Sequence, residues 1–128
     1  LLRGIDESRV RYLGYQSDVA RFLSAADVFV LPSSIEGFPL SILEAKAMEG
    51  VVVDSNVGAI SDVIRQDRNG YIIEPGSAND IVRALTELHS NKQRMNEMKQ
   101  WGRADVDSLY SHKQLGKNYK ALYRGVLK

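Results

Sequence analysis

Two uninterrupted apolar runs, Val28-Phe29-Val30-Leu31 and Val51-Val52-Val53, limit most tightly what this chain can become. Neither alternates with polar residues, so each must be covered on both faces, as in a central strand of a parallel sheet with helices above and below. The runs are separated by segments of three-and-four apolar spacing, and this alternation through the first ninety residues predicts βα units and an α/β fold with a parallel sheet. Strands are expected at Val10 to Leu13, Val28 to Leu31, Val51 to Asp54 and Tyr71 to Ile73, with the second and third central in the sheet.

The helices follow from spacing and end signals. Asp18 to Ala26 places Val19, Phe22, Leu23 and Ala26 on one face, with Ser17 or Asp18 as cap. Leu40 to Met48 aligns Leu40, Leu43 and Ala47, with Pro39 suited to the first turn and Gly50 to the stop. A short helix is expected over Ile60 to Ile64, a tight turn at Asn69-Gly70, and a longer helix over Asp80 to Leu88. Beyond Asn91 strand signals cease, and residues 91–128 read as a helical segment of the same domain, interrupted near Ser111. Its last part carries a stripe of Leu115, Tyr119, Leu122, Tyr123 and Val126, with Lys113, Lys117, Lys120, Arg124 and Lys128 elsewhere.

The net charge of +1 hides a division, because Leu1 to Ser90 carry eight basic and thirteen acidic residues while the remainder carries nine basic and three acidic. The basic end is read either as a solvated helix face or as a surface for an acidic partner or anionic lipid. With no cysteine there is no disulfide framework, thiolate nucleophile or cysteine-based metal site. No stretch reaches the roughly 18 apolar residues of a membrane span. The opening Leu-Leu-Arg-Gly, without methionine, reads as a piece of a longer chain, and residues 1–128 read as one truncated domain.

Chemistry is concentrated in the segment from Leu31 to Ala45, which leaves a strand and enters a helix, the place where open parallel sheets collect ligands. Gly37 has no side chain to keep a ligand off the backbone. The amides of Phe38, Leu40 and Ser41 precede or open a helix whose first N–H groups lack internal acceptors, so they favour a phosphate or diphosphate. Pro39 donates nothing but stiffens the turn. Glu36 and Glu44, eight positions apart, can each accept hydroxyl hydrogen bonds from a sugar or ribose. The competing structural reading is that Ser33 and Glu36 form a capping box and that the acidic residues gain only about 0.3–1 kcal/mol from the helix dipole.

The stretch EGFPLSILEA resembles the E-x7-E region of retaining GT-B glycosyltransferases of family 4, the glycosyl transferases group 1. VRYLGY, DVARFLSAADVFVLPSS, VGAISDVI, NGYIIEPGSANDIVRAL and LGKNYKALYRGVL resemble, in order, further stretches of that family's C-terminal domain. The resemblance implies a Rossmann-like donor domain, part of a GT-B fold, that binds a nucleoside-diphosphate sugar without cofactor or essential metal. It implies that Glu36 is catalytic and holds the donor hexose, that Gly37, Phe38, Pro39 and Leu40 approach the sugar and diphosphate, and that Glu44 holds the ribose. Gly14 and Tyr15 would lie near the nucleobase.

It further implies sugar transfer with retention to a glycan or lipid-linked acceptor held by a missing N-terminal domain. The setting would be cytoplasmic polysaccharide assembly, with the enzyme free or peripheral at the inner membrane face. An upstream arginine and lysine of the family are absent, so isolated activity is not expected. Departures from the pattern are Glu49-Gly50-Val51 in place of Gly-x-Pro, Asp62 in place of glutamate, and Phe38-Pro39 where Phe-Gly is frequent. The alternatives are a nucleotide-sugar 2-epimerase and a non-catalytic scaffold domain that binds a partner or membrane through its basic terminal helix. No nucleic-acid partner is expected, no Gly-x-Gly-x-x-Gly supports a dinucleotide site, and an open sheet edge would favour a homodimer.

Overall fold

A computed structural model describes residues 6, 8–38 and 40–126. Three parallel strands, β1 (Val28–Leu31), β2 (Val51–Ser55) and β3 (Gly70–Ile73), pair in the order β1-β2-β3, with Val28 opposite Val51 and Val52 opposite Gly70. All five residues of β2 are buried: the unbroken apolar run Val51 to Val53 demands it of three, and the polar Asp54 and Ser55 are buried with them. β1 is half-buried throughout, because it pairs with β2 alone among the described residues.

The expected strand at Val10 to Leu13 does not form. That segment is exposed and has no ladder neighbour, and an unpaired strand cannot satisfy its own backbone groups. For the same reason β1 is an edge of the described sheet rather than central.

Among the described residues, five helices pack on the two faces of the sheet. α1 (Val19–Ala25), α2 (Leu40–Ala47) and α3 (Ile60–Val63) bury Leu23, Ile42, Ala45, Ile60 and Val63 around Val52. On the other face α4 (Ala78–Ser90) and α5 (Lys92–Asp105) bury Ala84, Leu88, Met95 and Met98 against Val51, Val53, Tyr71 and Ile73. α5 passes into a π-helical turn, Val106–Tyr110, and after Ser111 the chain ends its described part in α6 (His112–Val126). The caps are local: Asp18 accepts from the Arg21 amide, Ser77 from Asp80 and Asn91 from Arg94. Ser77 is why α4 starts earlier than the apolar spacing suggested.

α2 ends in a Schellman motif, in which the Glu49 amide donates to the Lys46 carbonyl and the Gly50 amide to that of Ala45, at 3.0 and 2.9 Å. The left-handed position is Glu49, at φ 59°, rather than the expected Gly50. The buried face of α2 also differs from expectation: it is Ile42, Ala45 and Lys46, while Leu40 is 65% exposed. A lysine in the stripe concealed the pattern.

Lys46 is only 1% exposed, and its Nζ donates to the Val63 carbonyl at 2.7 Å. Asn69 Nδ2 donates to the same carbonyl at 3.3 Å and to Asp105 Oδ2 at 2.6 Å, so α2, α3 and α5 meet at one polar node. Burial pulls the Lys46 pKa down to about 8, against the opposing pull of Asp105.

The aliphatic stem of Lys46 packs where a Cβ on Gly102 would touch its Cγ at 3.4 Å, so stem and charge can be separated by mutation. Lys46→Ala is expected to lose about 2–4 kcal/mol of unfolding free energy. Lys46→Met keeps the volume and leaves the Val63 carbonyl to Asn69, so it should stay within about 1 kcal/mol of wild type. Denaturant titration checks both, and an equal large loss for the two variants would assign the stabilisation to the ammonium instead.

Candidate functional site

The carboxyl ends of β1 and β2 feed two loops that dock on each other. After β1 the Ser33 amide donates to the Leu31 carbonyl at 2.9 Å, turning the chain, and the Ser33 hydroxyl donates to Glu36 Oε1 at 2.7 Å. This is a side-chain contact onto the carboxylate, not the amide-directed bond of a capping box. Glu36 is half-buried and keeps a solvent-accessible part.

Gly58, in the β2–α3 loop at φ 56°, brings its backbone against this turn; a Cβ there would lie 2.1 Å from the Glu36 carbonyl oxygen and 2.9 Å from that of Gly37. The Ala59 amide completes the junction by donating to the Gly37 carbonyl at 3.3 Å. Gly58 was missed as a site residue, although VGAISDVI contains it. Its importance is a close backbone approach that sequence alone does not display.

The loop then enters α2, so Leu40 and Ser41 present the first amides of the helix, which have no acceptor one turn earlier. α2 has no acidic residue in its first turn to occupy them. Pro39, expected to open the helix and contact the donor, lies outside the described residues. Phe38 is half-exposed, its ring centroid 6.2 Å from that of Tyr110 in the π-helical turn, and the Tyr110 hydroxyl donates to the Asp62 carbonyl at 3.1 Å. The C-terminal segment thus props the loop that leads into α2.

Glu44 is exposed on the second turn of α2 and borders a cavity of about 390 Å³ facing Ser17, Asp18, Val19 and Leu23. A second cavity of about 420 Å³, lined by Leu13, Gly14, Tyr15 and Phe22, adjoins it at the shared residue Val19. Gly14 takes the left-handed region at φ 62°, and Tyr15 is exposed. The structure therefore places Glu44 on one cavity and Gly14 and Tyr15 on a second, the two sharing Val19 of α1. Glu36 borders neither cavity and stands instead with the β2–α3 loop.

Sequence reasoning also passed over Asp54, read only as a strand end. It is fully buried; its Oδ1 accepts the Ser55 amide at 2.6 Å, and its Oδ2 has no partner among the described residues. Burial pushes its pKa up to about 6, the Ser55 amide opposes this, and the negative charge of Glu36 raises it further. Among the described residues no group of three or more potential metal-ligating side chains is assembled. No helix among them is long and apolar enough to cross a membrane.

Comparison with known proteins agrees with the architecture. The family model described as glycosyl transferases group 1 matches residues 6–105. The N,N'-diacetylbacillosaminyl-diphospho-undecaprenol alpha-1,3-N-acetylgalactosaminyltransferase of Campylobacter jejuni is 34% identical over 99% of this chain and 34% of its own length. The crystal structure of the C-terminal domain of the glycosyl transferase group 1 family protein LpcC from Francisella tularensis superposes with a TM-score of 0.72, at 30% identity, over 80% of this chain and 53% of that one. Anabaena HepE, solved in complex with UDP, shares the fold with a TM-score of 0.82 at 20% identity, over 90% of this chain and 33% of its own. The chain spans about a third of the length of the curated relatives it matches first.

Proposed function

The chain belongs to the glycosyl transferases group 1 family, and on that premise we propose that it is the donor-binding part of an enzyme that transfers a sugar from a nucleoside diphosphate, with retention, to a lipid-linked or glycan acceptor. The observation that carries this reading is the junction at the carboxyl edge of the sheet, where the Gly58 loop packs on the Glu36-Gly37 turn just before α2, a helix with no acidic residue in its first turn. Several N–H dipoles pointing at one place suit a diphosphate. Glu36, anchored on one oxygen by Ser33, keeps acceptor capacity for hexose hydroxyls.

Glu44, whose cavity shares Val19 with the one lined by Gly14 and Tyr15, is assigned to the ribose and those two residues to the base. In catalysis Glu36 would orient the hexose while helix-end amides take up charge on the leaving diphosphate. The Campylobacter relative, a transferase named for a diphospho-undecaprenol substrate, supports a lipid-linked acceptor here. The apolar stripe of α6, exposed along Leu115, Tyr119, Leu122 and Tyr123, we assign to contact with the acceptor half of the enzyme. On this division of labour the chain alone would bind donor and transfer nothing.

Calorimetric titration of the natural protein that contains this chain with UDP-glucose, GDP-mannose and the matching nucleoside diphosphates tests the reading. Glu44→Ala is expected to weaken nucleotide and nucleotide-sugar binding alike by about tenfold, the worth of roughly 1.4 kcal/mol in lost charge-assisted hydrogen bonds. Failure of every nucleotide to saturate, or binding indifferent to Glu44, would contradict the donor assignment.

A further inference from the structure

Asp54 is a carboxyl group without a structural duty that accounts for it. It ends β2, and because alternate strand residues share a face, it lies on the side of Val52, toward α2 and α3. One oxygen takes the adjacent Ser55 amide, and the other is buried and unpartnered among the described residues. A buried carboxylate oxygen with no donor is disfavoured more strongly than a protonated carboxyl in the same place.

The groups around it leave protonation as the direct remedy. From the β1–α2 loop the ionisable neighbour is Glu36, whose charge is of the same sign. α2 directs Ile42 and Ala45 to this face, and its one buried cation, Lys46, is committed to the Val63 carbonyl. α3 contributes Ile60 and carries Asp62, a further acid, on its exposed side, while β3 offers Ile72 in register. No described basic side chain is placed to neutralise Asp54.

We propose that Asp54 is a proton-carrying member of the donor site, neutral when the anionic donor is bound and weakening that donor when it ionises. The inference rests on the donor assignment above, since it is the diphosphate at the start of α2 that an ionised Asp54, together with Glu36, would repel. By linkage, a ligand that prefers the protonated form draws one proton from solvent on binding wherever the free protein holds Asp54 ionised. Burial already places its pKa near the pH at which this matters, at about 6.

UDP-glucose is a suitable probe because its phosphates do not titrate in this window. In the natural protein, its affinity should fall roughly threefold or more per pH unit between about pH 6 and 7.5, with proton uptake measurable by calorimetry in buffers of different ionisation enthalpy. Asp54→Asn, neutral and isosteric, should bind at pH 7.5 about as tightly as wild type does near pH 5.5, with no linked uptake. Wild-type affinity that is flat with pH and without proton uptake would overturn the inference, and this needs no variant. A pH slope unchanged in Asp54→Asn would also overturn it while leaving the donor assignment standing; absence of UDP-glucose and GDP-mannose binding at every pH would overturn both.

Discussion

Gly58→Ala is expected to lose about 3 kcal/mol or more of stability and to abolish detectable donor binding, because the substitution meets two obstacles at once. The new Cβ would fall 2.1 Å from the Glu36 carbonyl oxygen, and a backbone atom cannot rotate away as a side-chain tip can. The residue also sits at φ 56°, where an L side chain costs about 1–2 kcal/mol by itself. Relief requires the Glu36-Gly37 turn to part from the β2–α3 loop, which removes Glu36 from the edge of the sheet and breaks the bond from the Ala59 amide to the Gly37 carbonyl.

Gly76→Ala supplies the control. It has φ 78° but nothing within 4 Å of an added Cβ, so only the conformational cost of about 1–2 kcal/mol applies and donor binding should survive. Denaturant unfolding and nucleotide-sugar titration of both variants check this; equal behaviour of the two would show that the loop junction is not needed.

Glu36→Ala should lower the rate of sugar transfer by about 100-fold or more in the natural enzyme while the protein stays folded. The fold is expected to tolerate it because the carboxylate is half-buried and its described side-chain partner is Ser33, whose hydroxyl can turn to water. The loss should fall more on kcat than on nucleotide affinity, since Glu36 is assigned to the hexose rather than to the ribose or base. Steady-state kinetics with paired unfolding measurements check the claim. Turnover within a few-fold of wild type, or a loss confined to KM, would remove Glu36 from its role. Removing this charge also takes away one of the influences that raise the Asp54 pKa, so that group should titrate lower in Glu36→Ala.

Much of the layer architecture could be read directly because Val51 to Val53 and Tyr71 to Ile73 are apolar runs, α1 carries both spacing and a cap, and α4 carries the spacing. What escaped were features decided by partners distant in sequence. Val10 to Leu13 has strand composition but no ladder neighbour among the described residues, and pairing rather than propensity decides a strand. Lys46 disguised the buried face of α2 because its stem packs as a hydrophobe and its ammonium finds a carbonyl supplied by α3.

The same distinction runs through the site. Glu36 and Glu44 stood out by spacing and residue type. Asp54, adjoining an apolar run, looked like an ordinary strand end, and its burial with an unpartnered oxygen is what marks it. Gly58 and Tyr110 support the loop through a backbone approach and a ring contact that no local pattern encodes.

The most direct measurement is a crystal structure of the natural protein with UDP-glucose bound. The diphosphate should rest on the amides that open α2, with Glu36 within hydrogen-bond reach of hexose hydroxyls, Glu44 on the ribose and the base toward Gly14 and Tyr15. A nucleotide seated away from the start of α2, or a hexose that leaves Glu36 untouched, would contradict the account.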